Sequence, residues 1–401
     1  MKPLQESFLL EILSQPTAPF REKYVIQRVV QELELHHVPF FADSVGNLVI
    51  GADSLASYQR ILRQTSSEPL RVYIAHMDHP GFHGTEWKSE NELLVKWHGG
   101  SPTQHLEGAK VWLAHPSDWR GSGKLIQATL LSSSRAIDTA SVVLESSQFA
   151  GGMKNLQKRA TEFYGGFAFR APYWKEDEKV YTHAADDLVG AFSIASLAIE
   201  TYGNKRKSKK SSASLPFIGL LTRAEEVGFI GAIGHFQKGW LQKSRRKVIC
   251  ISLETSRTLP GADIGKGPVV RLGDRFTVFD PAGLHILGQL AQTVLPTAHQ
   301  KRIMDGGSCE ATAATVFGFT SIGISVPLGN YHNQSLEGGP DAAPPNGPAP
   351  EFVHLQDVAG LLELCRALLK PKLPWPNPWN TRMKEFTKEF KRYQPLLRSG
   401  P

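Results

Sequence analysis

Five places in this 401-residue sequence carry side chains that bind hard or borderline cations. They are His76 and Asp78 in "AHMDHPGF", Asp186 and Asp187 in "HAADDLVG", Glu225 and Glu226 in "TRAEEVGFIGA", Glu254 in "CISLETS" and His332 in "PLGNYHN". Two imidazoles with several carboxylates suit zinc or a neighbouring divalent transition metal. One tetrahedral zinc cannot use so many carboxylates. Two cations about 3.5–4 Å apart, sharing a bridging carboxylate and a bridging water, can. His76 is then a ligand. Asp78, two residues along the same strand face, is placed to accept the imidazole's other N–H and fix its tautomer. Gly81 follows as the point where the backbone turns away. Neighbouring residues at a strand end point differently, so Glu225 and Glu226 divide the work. One binds metal and the other stands beside the water as general base.

Each motif alone has an ordinary reading: a surface Glu pair, a hydrogen-bonded histidine, or Asp186 capping a helix that starts at Leu188. Their common placement is what argues for a site. "LRVYIAHMD", "LPFIGLLTRAEE", "KVICISLET" and "TSIGISVPLG" read as buried strands. "DLVGAFSIASLAIETYG", "GAIGHFQKGWL", "PAGLHILGQLAQTV" and "LQDVAGLLELCRALLK" read as helices between and after them. Residues 4–14 and 21–36 add two helices, and "VPFFADSVGNLVIG" a hairpin. Strands alternating with helices predict a three-layer α/β/α sandwich on a mixed, mainly parallel sheet. Ligands bind at the carboxyl ends of such strands, where all five motifs fall.

Between residues 85 and 183 the pattern changes. Short alternating stretches, among them "AKVWLAH", "KLIQATLLSS", "SVVLES" and "FAFRAP", predict a small inserted β-barrel-like domain, with a helix at 151–161. The catalytic domain is then 1–84 with 184–370. Residues 371–401 form a basic C-terminal extension with a short amphipathic helix in "KEFTKEFKRY", docked on the body or on a neighbouring subunit. The Gly/Pro-rich run 337–352 reads as a loop.

Composition is that of an ordinary globular chain, 41% apolar and 21% charged. The three cysteines are widely spaced and form no disulfide framework or metal knuckle. No apolar run approaches a membrane span, and the acidic, amphipathic N-terminus argues against a secretory signal. The cytoplasm is the expected location. The net charge of +7 comes largely from residues 204–210 and the tail. The first run has no aromatic interleaving and reads as a solvated loop, so no nucleic-acid partner is expected. His79, His83 and His183 are expected in hydrogen-bonding roles near the ligands or at the surface. His235, His285 and His354 are expected to be ordinary helix residues, and Cys309 a core thiol. No G-x-S-x-G elbow or Walker loop is present.

The ordered set H-x-D, D-D, E-E-V-G, E and H resembles the di-zinc exopeptidase clan. The closest match is the tetrahedral (glutamyl or deblocking) aminopeptidase family, whose H-x-D-x-x-G, D-D-R-x-G, E-E-V-G-x-x-G-A and G-K-G-P segments resemble "AHMDHPGF", "DDLVGA", "EEVGFIGA" and "DIGKGPVVRLGD". The resemblance covers roughly residues 4–370. It implies a metal-dependent aminopeptidase with two divalent ions, zinc first and cobalt or manganese as alternatives. His76, Glu254, His332 and Glu226 are implied as terminal ligands, Asp186 as the bridge and Glu225 as the catalytic base, beside Asp78 as the orienting catalytic residue read from its spacing. It also implies a cis Asp186–Asp187 peptide, peptide substrates and a homo-oligomer, dimer to dodecamer. Leu188 stands where the family has Arg, Glu254 where Asp is commoner, and "GGSCEA" where it has G-G-T-D-A-G; substrate preference is therefore left open. Two other functions stay open on the residues: an N-acyl amino acid deacylase or carboxypeptidase of the same clan, and a non-catalytic scaffold.

Overall fold

The computed structural model describes residues 3–133, 136–145, 156–203 and 216–398. The chain opens with α1 (Pro3–Leu13), α2 (Lys23–Leu35), a hairpin of β1 (Phe40–Ala42) and β2 (Leu48–Ile50), α3 (Leu55–Arg63) and β3 (Leu70–His76). Six strands follow: β4 (Gly81–Trp87), β5 (Glu92–His98), β6 (Lys110–Ala114), β7 (Arg120–Leu130), β8 (Ile137–Leu144) and β9 (Tyr164–Phe167). Next come β10 (Tyr173–Glu176), β11 (Lys179–Thr182), α4 (Leu188–Tyr202), β12 (Phe217–Thr222), α5 (Ile230–Gln237) and β13 (Val248–Arg257). The last part holds β14 (Val269–Asp274), α6 (Pro281–Val294), β15 (Gln300–Met304), α7 (Glu310–Val316), β16 (Thr320–Leu328), β17 (Glu351–His354), α8 (Leu355–Leu368) and α9 (Asn380–Arg398).

Eight strands form one sheet in the order β1-β2-β12-β3-β13-β16-β14-β15. The four central strands, β12 to β16, run parallel, and the antiparallel pairings lie toward the edges. β3 shows why the central strands are unbroken apolar runs. All seven of its residues are buried. Tyr73 and Ala75 face the core under α1, α2, α4, α6 and α8. Leu70, Val72 and Ile74 face the core under α3, α5 and α7. A strand covered on both faces has no polar face to show in sequence. α4 is the helical counterpart: Leu188 to Ala198 are all buried, so it is apolar all round rather than striped.

The predicted sandwich and inserted barrel are both present. β4-β5-β8-β7-β6-β9 close into a barrel around Phe82, Val95, Val111, Leu125, Val142 and Phe167. The barrel ends at Phe167, so "FAFRAP" gives only its first residue to a strand. The β10–β11 hairpin, read as part of the insert, instead pairs with β17 in a three-stranded sheet. The loop read at 337–352 gives its last two residues to β17. Residues 157–162 are a 3-10 helix; the rest of the helix expected at 151–161, up to 155, and the 204–210 loop lie outside the described residues. α3, β14, β15 and α7 were not foreseen. The tail helix is present, longer than expected, as α9.

Candidate metal centre

β3 carries His76 to the mouth of the sheet. There Nδ1 donates to the main-chain oxygen of Asp78 at 3.0 Å, which turns Nε2 toward the cluster. Nε2 lies 3.3 Å from Asp186 Oδ1, 3.6 Å from Glu254 Oε1 and 3.9 Å from Glu225 Oε2. His332 faces the same group from the other side. Its Nε2 is 3.2 Å from Glu226 Oε2 and 3.6 Å from Asp186 Oδ2. Asp186 thus offers one oxygen to each imidazole. The structure brings His76, Asp186, Glu225, Glu226, Glu254 and His332 into one cluster, with Glu226 and His332 at its partly exposed side and the other four buried. Ligand atoms of His76, Asp186 and Glu226 all lie within 4.8 Å of one another, as do those of His76, Asp187 and Glu254.

The local sequence explains how each side chain is held. The Asp186–Asp187 peptide is cis, as the resemblance implied. Asp187, not Asp186, caps α4: its Oδ1 accepts from Gly190 N at 3.1 Å and from Thr255 Oγ1 at 2.9 Å. A side chain at Gly190 would overlap that carboxylate. Asp187 Oδ1 is committed to these partners. Asp186, divided between two imidazoles, is therefore the better shared ligand.

Asp78 acts differently from the sequence reading. Its carboxylate is 3.7 Å from His76 Nδ1, too far for a hydrogen bond. It accepts instead from the backbone N–H groups of Glu225 at 2.9 Å and Glu226 at 3.2 Å. β3 ends at His76, so the strand's two-residue period no longer governs Asp78. Gly81 is also corrected: its φ is not left-handed, and it is small because a Cβ would collide with Gly165 O of β9. The loop carrying Glu225 is pinned again by Glu22, whose Oε1 accepts from Ala224 N at 3.0 Å. Glu22 Oε2 pairs with Arg223 at 2.7 Å.

Three residues of the site gave no signal in sequence. Buried Glu351 accepts main-chain N–H groups from Ala185 at 2.6 Å, Asp186 at 3.2 Å and His332 at 2.9 Å. It joins two segments that supply ligands. Gly100, in the loop after β5, is packed so tightly on the His332 ring that a Cβ there would overlap Nδ1. The barrel thereby backs a residue of the cluster. Glu310, buried at the start of α7, accepts from Thr222 Oγ1 at 2.7 Å. His79 Nδ1 donates to the main-chain oxygen of Asp186 at 2.9 Å, and its Nε2 lies 3.2 Å from Asn333 Oδ1. His83 and His183 bond main-chain oxygens of Pro19 and Gln15. His235 is a buried structural residue between Asp43 and Tyr58. Cys309 is buried, and burial raises its thiol, which argues against a nucleophile.

The electrostatics are those of crowded carboxylates. Burial would lower His76, but Glu225, Asp186 and Glu254 outweigh it and raise the imidazole well above its usual range. His332 follows the same balance, burial opposed by Glu226 and Asp186, and reaches about 10. Burial raises Glu225 well above normal against the pull of His76. It raises Glu254 to about 8 and Asp78 to about 7. Burial also acts to raise Asp186, but the two imidazoles bring it below its usual value. Asp186 Oδ1, Glu226 Oε1, Glu254 Oε2 and His332 Nε2 are buried with no hydrogen-bond partner. Buried polar atoms left unpaired are costly. Four carboxylates with two imidazoles form a donor set that fits cations; the Arg271 guanidinium, 3.6 Å from Glu254, pairs with that carboxylate from outside the set.

A barrel inserted into an α/β/α sandwich, with imidazoles and carboxylates gathered at the strand ends, is the build of a peptidase. The M42 glutamyl aminopeptidase profile matches residues 60–336, and the chain belongs to that family. Aminopeptidase hydrolysis of peptide bonds is the activity the family brings. The TET1 peptidase of Pyrococcus horikoshii, which can assemble into a tetrahedron or a large octahedral shell, superposes with a TM-score of 0.67 at 18% identity, covering 92% of this chain and 99% of that one. A TET aminopeptidase from a marine sediment Thaumarchaeota archaeon gives 0.68 at 16% identity, covering 92% and 97%. An aminopeptidase from the archaeon Desulfurococcus kamchatkensis gives 0.68 at 16% identity, covering 93% and 97%. At these identities the likeness establishes the fold. No curated protein sequence matches the chain. Among the described residues, no helix is long and apolar enough to cross a membrane.

Proposed function

We propose that this chain removes N-terminal residues from peptides with a pair of divalent metal ions, zinc first and cobalt or manganese as alternatives. The observation that carries the reading is Asp186, whose two oxygens face two imidazoles in a pocket of unpaired buried acceptors. His76 and Glu254 would hold one ion, His332 and Glu226 the other, with Asp186 shared. Such a pair, when bound, polarises the scissile carbonyl, acidifies water and anchors the substrate's free amine. Glu225 is the proton carrier. It sits in the pocket without being needed as a ligand, and burial raises its affinity for a proton. It takes a proton from the attacking water and delivers it to the leaving amine. Asp78 is a positioning residue: through two backbone N–H groups it aims Glu225 and Glu226. Glu351 positions Asp186 and His332 in the same way.

The family and the neighbouring TET assemblies support a homo-oligomer for this chain, from a dimer to a dodecamer. Peptides are the partners, without nucleic acid or membrane, and the cytoplasm is the location. The test is a panel of aminoacyl anilides and N-acyl amino acids with zinc, cobalt or manganese supplied. Turnover of the free-amine set, with Glu225→Gln losing about 10²–10⁴-fold in kcat at unchanged metal content, is expected. Turnover of the N-acyl set alone would make it a deacylase or carboxypeptidase. Turnover of neither would make it a scaffold.

A further inference from the structure

Helix α9 takes no part in the chemistry above. Every residue from 381 to 393 is exposed, yet the apolar residues of that stretch fall in one line. Trp379, Met383, Phe386, Phe390, Tyr393 and Leu397 are 43–73% exposed. Their spacing alternates between four and three, the 3.5-residue repeat of a coiled-coil seam. A stripe this narrow is what a single partner helix covers. Asn380, Thr387 and Gln394 border it on one side, and Arg382, Glu389 and Leu396 on the other. Lys384, Lys388, Lys391 and Arg392 point away from it, on the far face. A helix lying on anionic lipid needs its lysines within reach of headgroups at the edges of the stripe. Here those edges are mostly uncharged. The Trp379 ring stacks on His285 of α6, centroids 4.3 Å apart, which anchors the base of the helix to the body.

We propose that α9 pairs antiparallel with α9 of a second copy of this chain. The charge pattern selects both direction and register. With Trp379 opposite the second copy's Phe390, and Met383 opposite its Phe386, the two-fold axis yields four apolar layers. Arg382 then falls about 3 Å along the axis from the second copy's Glu389, at 1.5 Å per residue, and symmetry gives this pair twice. The other border sets Thr387 beside Asn380, with no charge. Sliding the pair one heptad toward the C-terminus sets Glu389 against Glu389 and Arg382 against Leu396. It also draws in Pro395, which removes a helix hydrogen bond and bends the axis. A parallel pair sets Arg382 against Thr387 and Glu389 against Gln394, without opposite charges. In the single chain Arg382 pairs with Glu385 at 2.8 Å, both about half exposed. An exposed pair of this kind is readily exchanged. The inference does not depend on the enzymatic reading.

Disulfide trapping of the full-length protein tests it, because the three native cysteines are buried. Met383→Cys protein is mixed with Phe386→Cys protein, oxidised, and the joined peptides are identified by mass. The mixed 383–386 product should dominate. Arg382→Glu in both backgrounds should lower its yield about tenfold, since two attractive pairs become repulsive. Adding Glu389→Arg should restore it. Equal 383–383 and 386–386 products, or a yield indifferent to the charge swap, would overturn the proposal. So would binding of α9 to phosphatidylserine vesicles with no cross-link, which would assign the seam to a membrane.

Discussion

Glu351→Gln isolates the frame that holds the site from the groups that act in it. Three main-chain N–H groups converge on one carboxylate, from Ala185, Asp186 and His332. Glutamine keeps one carbonyl oxygen and replaces the other oxygen with a donor. With its carbonyl turned to Ala185 and Asp186, its amide N–H groups face the His332 N–H. One charge-assisted bond is lost and a buried donor is left unpaired. At about 1.5–3 kcal/mol per hydrogen bond to a charged group, the variant should lose about 3 kcal/mol in urea unfolding with chelator present. His332 sits at φ +55° with that N–H as a hold on its backbone. Weakening a partner of this kind costs about 10–100-fold in metal affinity. Competitive chelator titration should show that drop at one of two sites, the one that includes His332. Glu351 touches no substrate, so kcat at saturating metal should stay within about threefold of the parent, an order-of-magnitude limit. Unchanged stability and affinity would refute the reasoning. A kcat loss as large as that of Glu225→Gln would refute it too.

Other outcomes follow from the same geometry. Asp78→Asn should leave metal affinity nearly unchanged at the site that includes His76, because a backbone oxygen orients that imidazole, and lower it at the site that includes Glu226, whose N–H Asp78 holds. It should lower kcat at least about tenfold by loosening the Glu225 and Glu226 N–H groups; metal loss comparable to His76→Ala would contradict this. Gly100→Ala should displace the His332 ring and cost about 1–3 kcal/mol as an overpacking change, read by thermal melting and by zinc content. Burial depresses buried His183 from 6.5 to about 4. The unfolded chain therefore takes up a proton between those values that the folded protein refuses. Stability is full above pH 6.5 and falls as pH drops toward 4, by about 2 kcal/mol at pH 5. Urea unfolding at pH 7 and 5 should show a loss about 2 kcal/mol smaller in His183→Gln than in the parent, the remainder coming from groups such as His83, which burial also lowers to about 4.

How legible the site was in sequence depended on what each residue faces. His76 and Glu254 stood out because strands buried on both faces are apolar until a functional residue interrupts them. Asp186 and Glu225 stood out through their acidic neighbours at a helix start and a strand end. Asp78 was visible as a residue but not in its role. The strand had already ended, so its alternation could not be projected forward. Glu351 was invisible. It sits in a Pro/Gly-rich stretch, and its partners are backbone groups of Ala185 and His332, which sequence pattern does not display. Gly81 was misread as a turning point, and Gly100 was invisible, for a related reason. Their small size answers to atoms of β9 and of His332, brought near only by the closed barrel. The barrel was legible as short alternating stretches. The attachment of β10 and β11 to β17 was not, because pairing between distant strands leaves no local mark.

The most direct test is anomalous diffraction at the zinc edge from crystals grown with zinc. Two peaks are expected in each chain, one within bonding distance of His76 and Glu254, the other of His332 and Glu226, with Asp186 touching both. A single peak, or two that do not share Asp186, would contradict the account.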